Sequence, residues 1–197
     1  LGRRNISIET FELERLAQGV FDEVYKELGY QNIQRVVGKA NRYFDLTLAM
    51  NGVTKKIEEK ALQYYHQDCP IELIQNIWPL SQGWLYETTA DYLHFLYYQD
   101  KRPHVLYQVN KERLVGKLDR AGFFEINERK ANKYKIQPRL SEINFGITVN
   151  LCINWKYLIE KNCARILKSW IEQKSFYHER QSNLFDKELS RALGHGS

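Results

Sequence analysis

The chain has 197 residues, 43% of them hydrophobic, with 13 Tyr, 9 Phe and 4 Trp, which suffices for a packed core and excludes general disorder. Its net charge of +5 and pI near 9.0 admit a polyanionic partner without demanding one. No apolar run approaches the roughly 18 residues a membrane-crossing helix needs and no secretory leader is visible; Cys69, Cys152 and Cys163 lack metal-ligand spacing, so a cytoplasmic protein with buried free thiols is expected.

Residues 8–28 place Leu13, Leu16, Ala17, Val20, Val24 and Leu28 on one helical stripe, with Ser7 or Thr10 to cap the start and Gly29 at the end. A short strand over 32–37 is expected next. Then come two strands, 42–50 and 53–62, about the turn Asn51-Gly52, and a further strand over 70–78. Ser81-Gln82-Gly83 marks a turn, after which Thr88 or Thr89 caps a helix carrying Ala90, Leu93, Leu96 and Tyr97. A strand over 104–109, a short helix over 111–118 and a short strand over 122–125 follow. Residues 129–139 hold five basic side chains and no acid; 142–153 alternates as a strand, and Asn154 caps a helix with Leu158, Ile159, Ile166, Leu167, Trp170 and Ile171 on its stripe. From 176 the chain is polar and helical, and Gly194-His195-Gly196-Ser197 reads as an expression remnant. The expected organisation is a core over 1–125, a strand–helix extension of the same domain over 126–175, and a tail over 176–197.

The hairpin carries the chemistry. With Asn51-Gly52 as a two-residue loop, Met50 faces Val53, Leu46 faces Ile57, Asp45 faces Glu58 and Tyr43 faces Lys60. Phe44, Leu46, Leu48, Met50 and Ile57 then form the apolar face. Two carboxylates standing opposite each other repel, a penalty that a divalent cation reverses. The hairpin therefore reads as a metal site with a lysine beside it. A hairpin whose charges merely face water is the plain alternative.

Asp45 followed by Glu58-Glu59-Lys60, on two strands behind a helix, resembles the PD-(D/E)xK nuclease superfamily. The resemblance covers roughly residues 10–110. Phe44 stands where the motif has Pro, and the middle residue, usually apolar, is Glu59. Asp119 with Glu128-Arg129-Lys130, and Glu172-Gln173-Lys174, match the same letters but lie on no buried hairpin. The resemblance implies an α+β restriction-endonuclease-like core, a mixed central sheet flanked by helices, here with an extra C-terminal strand and helix. It implies Mg²⁺ or Mn²⁺ held by Asp45, Glu58 and the main-chain carbonyl of Glu59, with Asp45, Glu58 and Lys60 catalytic, Lys60 stabilising the charge that builds on the phosphate. An acid on the first helix often completes such a site, and Glu14, Gln18 and Glu23 are its candidates.

The expected partner is DNA, with RNA left open. Lys55 and Lys56 near the turn, and Arg129, Lys130, Lys133, Lys135 and Arg139, are candidate phosphate contacts. Trp84, Tyr86, Tyr97 and Tyr98 have spacings that suit core packing better than base stacking. No Gly-rich phosphate loop or nucleophile elbow is present, and His66-Gln67-Asp68-Cys69 lacks a completing ligand. A homodimer through the C-terminal helix, with Trp170 and Ile171, would suit paired cuts across a duplex. The rival to an active nuclease is an inactive protein of the same fold that binds nucleic acid or protein.

Overall fold

A computed structural model describes residues 8–37, 43–76, 81–120, 136–143 and 146–171. Helix α1 (Ile8–Glu27) buries Ala17, Phe21, Val24 and Tyr25, whereas Leu16 and Leu28 of the expected stripe are exposed. The buried line is displaced because Phe21 and Tyr25 bring more apolar area to it than the leucines would. Gly29 at φ +72 closes the helix in the left-handed conformation, with Gly29 N–H donating to Lys26 and Tyr30 N–H to Tyr25.

Strands β1 (Gln31–Arg35), β2 (Leu46–Met50) and β3 (Val53–Leu62) form an antiparallel meander. Asn51 and Gly52 both have positive φ, so the turn is the expected primed type and the register is the expected one, Leu46 against Ile57 and Met50 against Val53. Strand β4 (Asp68–Asn76) then leaves this sheet, and β5 (Ser81–Gln82) pairs with it. A single helical turn, α2 (Trp84–Glu87), leads into β6 (Tyr92–Gln99), which runs parallel to β3, and into β7 (Arg102–Asn110).

The helix expected after Thr88 is thus a strand. Leu93, Leu96 and Tyr97 have helical spacing, but residues 93–98 are all buried, and a strand covered on both faces shows no alternation. Helix α3 (Lys111–Arg120) follows β7 as expected. The single strand expected over 142–153 is instead a hairpin of β8 (Ile136–Ile143) and β9 (Gly146–Asn154). Asn154 does cap a helix, α4 (Trp155–Glu160), its side chain accepting from Lys156 N–H. That helix stops at Asn162, φ +55, and Ile166 and Leu167 lie on a strand, β10 (Ala164–Ser169). The expected strand over 122–125 and the tail lie outside the described residues.

Two sheets result. The first is mixed, ordered β1-β2-β3-β6-β7-β10, with β3 and β6 its parallel pair; the second is antiparallel, ordered β5-β4-β9-β8. One face of the first sheet packs under α1 through Leu46, Leu48, Ile57, Leu96 and Leu106. Its other face packs against the second sheet and α4, through Leu93, Phe95, Tyr97 and Tyr107 against Ile71, Leu151 and Trp155. The architecture is α+β, helix over mixed sheet over second sheet. Among the described residues no helix is long and apolar enough to cross a membrane.

Candidate functional site

Strand β3 lies third in the six-stranded sheet, and its parallel register sets Glu58 beside Leu93, Glu59 beside His94 and Lys60 beside Phe95. Glu58 and Lys60 therefore face the inter-sheet core, and Glu59 faces α1. The ladder with β2 ends at Leu46 and Ile57. One residue further, Asp45 N–H donates to Ile57 O at 2.9 Å, one step off the ladder, and its carboxylate Oδ2 accepts from Glu59 N–H at 2.6 Å. Asp45 therefore does not stand squarely opposite Glu58; it reaches the middle of the motif. The same irregularity turns Phe44 onto the inter-sheet core, away from the face it was expected to share with Leu46. Tyr43, expected opposite Lys60, instead offers its carbonyl to Thr88 Oγ at 2.7 Å and Thr89 N–H at 2.9 Å.

Glu58 is 6% exposed. Its Oε1 meets Lys60 Nζ at 2.5 Å, and that ammonium also sits 5.2 Å from the centre of the Trp84 ring. Its Oε2 is buried and has no hydrogen-bond donor among the described residues. The Thr88 hydroxyl lies against Glu58, but its one proton goes to Tyr43 O. An acceptor left without a donor costs about 1–3 kcal/mol, which a water or a cation would offset. Burial pushes the Glu58 carboxyl up, opposed by Lys60 and reinforced by Asp45; burial likewise raises Asp45, opposed by Glu59 N–H and Lys60. Lys111, at the start of α3, donates to Thr88 O; burial lowers its pKa and the charge of Glu58 raises it. Two ammoniums and two carboxylates thus share one partly buried corner.

Asp45 and Glu58 offer carboxylate oxygens of the kind a hard divalent cation takes, one of them without a donor among the described residues. Among the described residues no three His, Cys, Asp or Glu side chains converge, so an ion would keep several waters, as Mg²⁺ does. Glu14, Gln18 and Glu23 are all exposed on α1, across the sheet from Glu58, and do not complete the set. Lys55 lies 4.0 Å from Asp91, and Lys56 is exposed over Phe44 at 5.0 Å. Arg129, Lys130, Lys133 and Lys135 lie outside the described residues, as does the side chain of Arg139 on β8. Tyr97 and Tyr98 are core residues, and Trp84 and Tyr86 pack partly buried against it. The three cysteines are all buried.

No family model, curated protein or solved structure matches the chain.

Sequence reasoning missed what lies behind Glu59. Arg35 Nη1 reaches Glu59 Oε2 at 2.8 Å and Arg35 Nη2 reaches Asp22 at 2.7 Å, while the Tyr25 hydroxyl donates to Glu59 Oε1 at 2.9 Å. Tyr25 Oη lies 2.7 Å from His94 Nδ1, and His94 Nε2 lies 3.0 Å from Gln108 Nε2. Arg165 Nε donates to Gln108 Oε1 at 2.8 Å. Glu59, charged where the neighbouring alternation is apolar, was the one signal in the sequence that such partners must exist.

Proposed function

We propose that the protein is a metal-dependent nuclease that hydrolyses phosphodiester bonds in DNA, on a restriction-endonuclease-like arrangement of α1, β1–β3 and β6. The observation that carries the reading is Glu58 on β3: a buried carboxylate with an oxygen unpartnered among the described residues, bonded to Lys60 and close to Asp45, which stands just ahead of β2. Asp45, Glu58 and the Glu59 carbonyl would hold Mg²⁺ or Mn²⁺, which supplies Lewis-acid polarisation of the scissile phosphate. Asp45 is held for this by Glu59 N–H. Lys60 is about one-third exposed, so its ammonium can turn from Glu58 to a phosphate oxygen and stabilise the charge that grows there. Lys55, Lys56 and the basic 129–139 segment would contact the backbone. A cytoplasmic setting is part of this reading, and a homodimer would suit paired cuts across a duplex.

Asp45→Asn and Lys60→Ala should each lower Mg²⁺-dependent cleavage of mixed single- and double-stranded DNA by at least about a hundredfold, with unchanged far-UV circular dichroism. Cleavage at the parent rate in both variants would remove these residues from the site.

Two observations favour a second reading, an inactive binding module of the same architecture. Lys60 is already neutralised by Glu58, and no third acid converges among the described residues. A module of that kind would show no Mg²⁺-linked rise in melting temperature, whereas a working site would gain stability with metal concentration.

A further inference from the structure

The row of side chains on the α1 face of the sheet is polar where its neighbours are apolar. Glu59, His94, Gln108 and Arg165 stand in direct register across β3, β6, β7 and β10. Above and below them lie Leu46, Ile57, Leu96 and Leu106. Apolar residues of similar size would be as stable or more so, since buried polar pairs repay their desolvation poorly. The row is nonetheless satisfied throughout, and its hydrogen bonds can run in only one sense. Arg165 donates to Gln108 Oε1, so Gln108 presents its amide to His94 Nε2. His94 must then carry its proton on Nδ1 and give it to Tyr25 Oη, which frees the Tyr25 proton for Glu59 Oε1. Arg35 closes the far side with Nη1 at 2.8 Å and Nη2 at 3.4 Å, anchored in turn by Asp22. The Tyr25 hydroxyl and the Arg35 guanidinium both converge on the Glu59 carboxylate.

Glu59 is also the residue whose main-chain N–H holds the Asp45 carboxylate at 2.6 Å. A strand residue with its side chain locked from two directions cannot rotate its peptide plane freely. We propose that Tyr25 and Arg35 are positioning residues: by clamping the Glu59 side chain behind the sheet they fix the amide that orients Asp45 in front of it. The ladder through His94 and Gln108 to Arg165 holds Tyr25 in the acceptor–donor sense the clamp needs. The consequence for metal binding rests on the function proposed above; the clamp itself does not.

The test uses the full ¹⁵N-labelled chain with Tyr25→Phe, Arg35→Met and Asp45→Asn. Tyr25→Phe removes one hydroxyl and keeps the ring, so it serves if Arg35→Met proves too unstable. The Glu59 amide proton should resonate far downfield in the parent and move upfield in Asp45→Asn. In Tyr25→Phe and Arg35→Met it should shift the same way, with exchange about tenfold faster while the Ile57 amide keeps its rate. The Mn²⁺ concentration at half-maximal thermal shift should rise about tenfold in both, the usual effect of losing a group that orients a ligand. A purely structural role would lower the melting temperature and leave both readouts alone. A Glu59 amide that responds to Asp45→Asn but not to the other two overturns the clamp. An amide that moves as expected in a parent that binds no Mn²⁺ upholds the clamp and sinks the metal reading instead.

Discussion

Burial acts in opposite directions on the acids and on the imidazole that meet around β3. Full burial drives the His94 pKa down from 6.5 to about 3, so its unfolded form takes up a proton between these values that the native form refuses. Stability from this group is present above 6.5 and is lost as pH falls through that window. Glu59 is pushed up from 4.5 to about 7 by burial, despite Arg35 and Tyr25. Its native form keeps a proton the unfolded form has lost, so its contribution is full below 4.5 and is lost as pH rises through 7. Asp45 and Glu58 shift in the same direction as Glu59. In the shared window of 4.5 to 6.5 the two tendencies oppose each other. His94→Gln removes the larger of the two histidine shifts and leaves the carboxylates opposed only by His104: its melting temperature, lower overall, should rise on acidification from pH 7 to pH 5. A melting temperature that still falls over that range would contradict the opposition. Of the residues on the α1 face only Glu59 was conspicuous in the sequence, because a charge among strand positions otherwise apolar demands a partner. Which partners it found depended on Tyr25 and His94, 34 residues from Glu59 and 69 residues from Tyr25 respectively.

Elements were legible where their cause is local. The primed turn at Asn51-Gly52 and the glycine ending α1 are each specified within a few residues, and both formed as expected. Strand β6 was not, because its type follows from being covered by α1 on one face and by the second sheet on the other. Gly83 shows how closely the elements approach. It donates to Leu73 O at 2.8 Å, and a Cβ there would stand 2.5 Å from Glu72 O and 2.6 Å from the Leu73 carbonyl carbon. Both are backbone, so β4 itself would have to move. Gly83→Ala should therefore cost about 1–3 kcal/mol in urea unfolding, as overpacking does. A loss under half of that would mean the turn before α2 can yield.

At the scale of the molecule, Trp155 joins the two sheets. It stacks on Tyr107 with centroids 3.9 Å apart and planes 5° from parallel, meets Phe95 and Tyr97 edge-on, and donates from Nε1 to Tyr97 Oη at 3.2 Å. Trp155→Ala should cost about 3–5 kcal/mol, and it removes the ring that packs α4, directly after β9, onto β6 and β7. Separate urea midpoints for tyrosine fluorescence and far-UV circular dichroism in that variant would show the sheets uncoupled; coincident midpoints would show that the remaining inter-sheet core suffices. By itself the sequence determined the hairpin register, the faces of Glu58 and Glu59, the first helix with its glycine stop and the asparagine cap of α4. Each rests on alternation or turn chemistry within a few residues. Only the tertiary structure decided that β4 joins β9 rather than β3, that Asp45 leaves the ladder to reach Glu59, and that Glu59 meets Arg35, Tyr25 and, through it, His94. Those contacts join residues far apart in the chain, and their energies come from burial, which no local pattern of residues encodes.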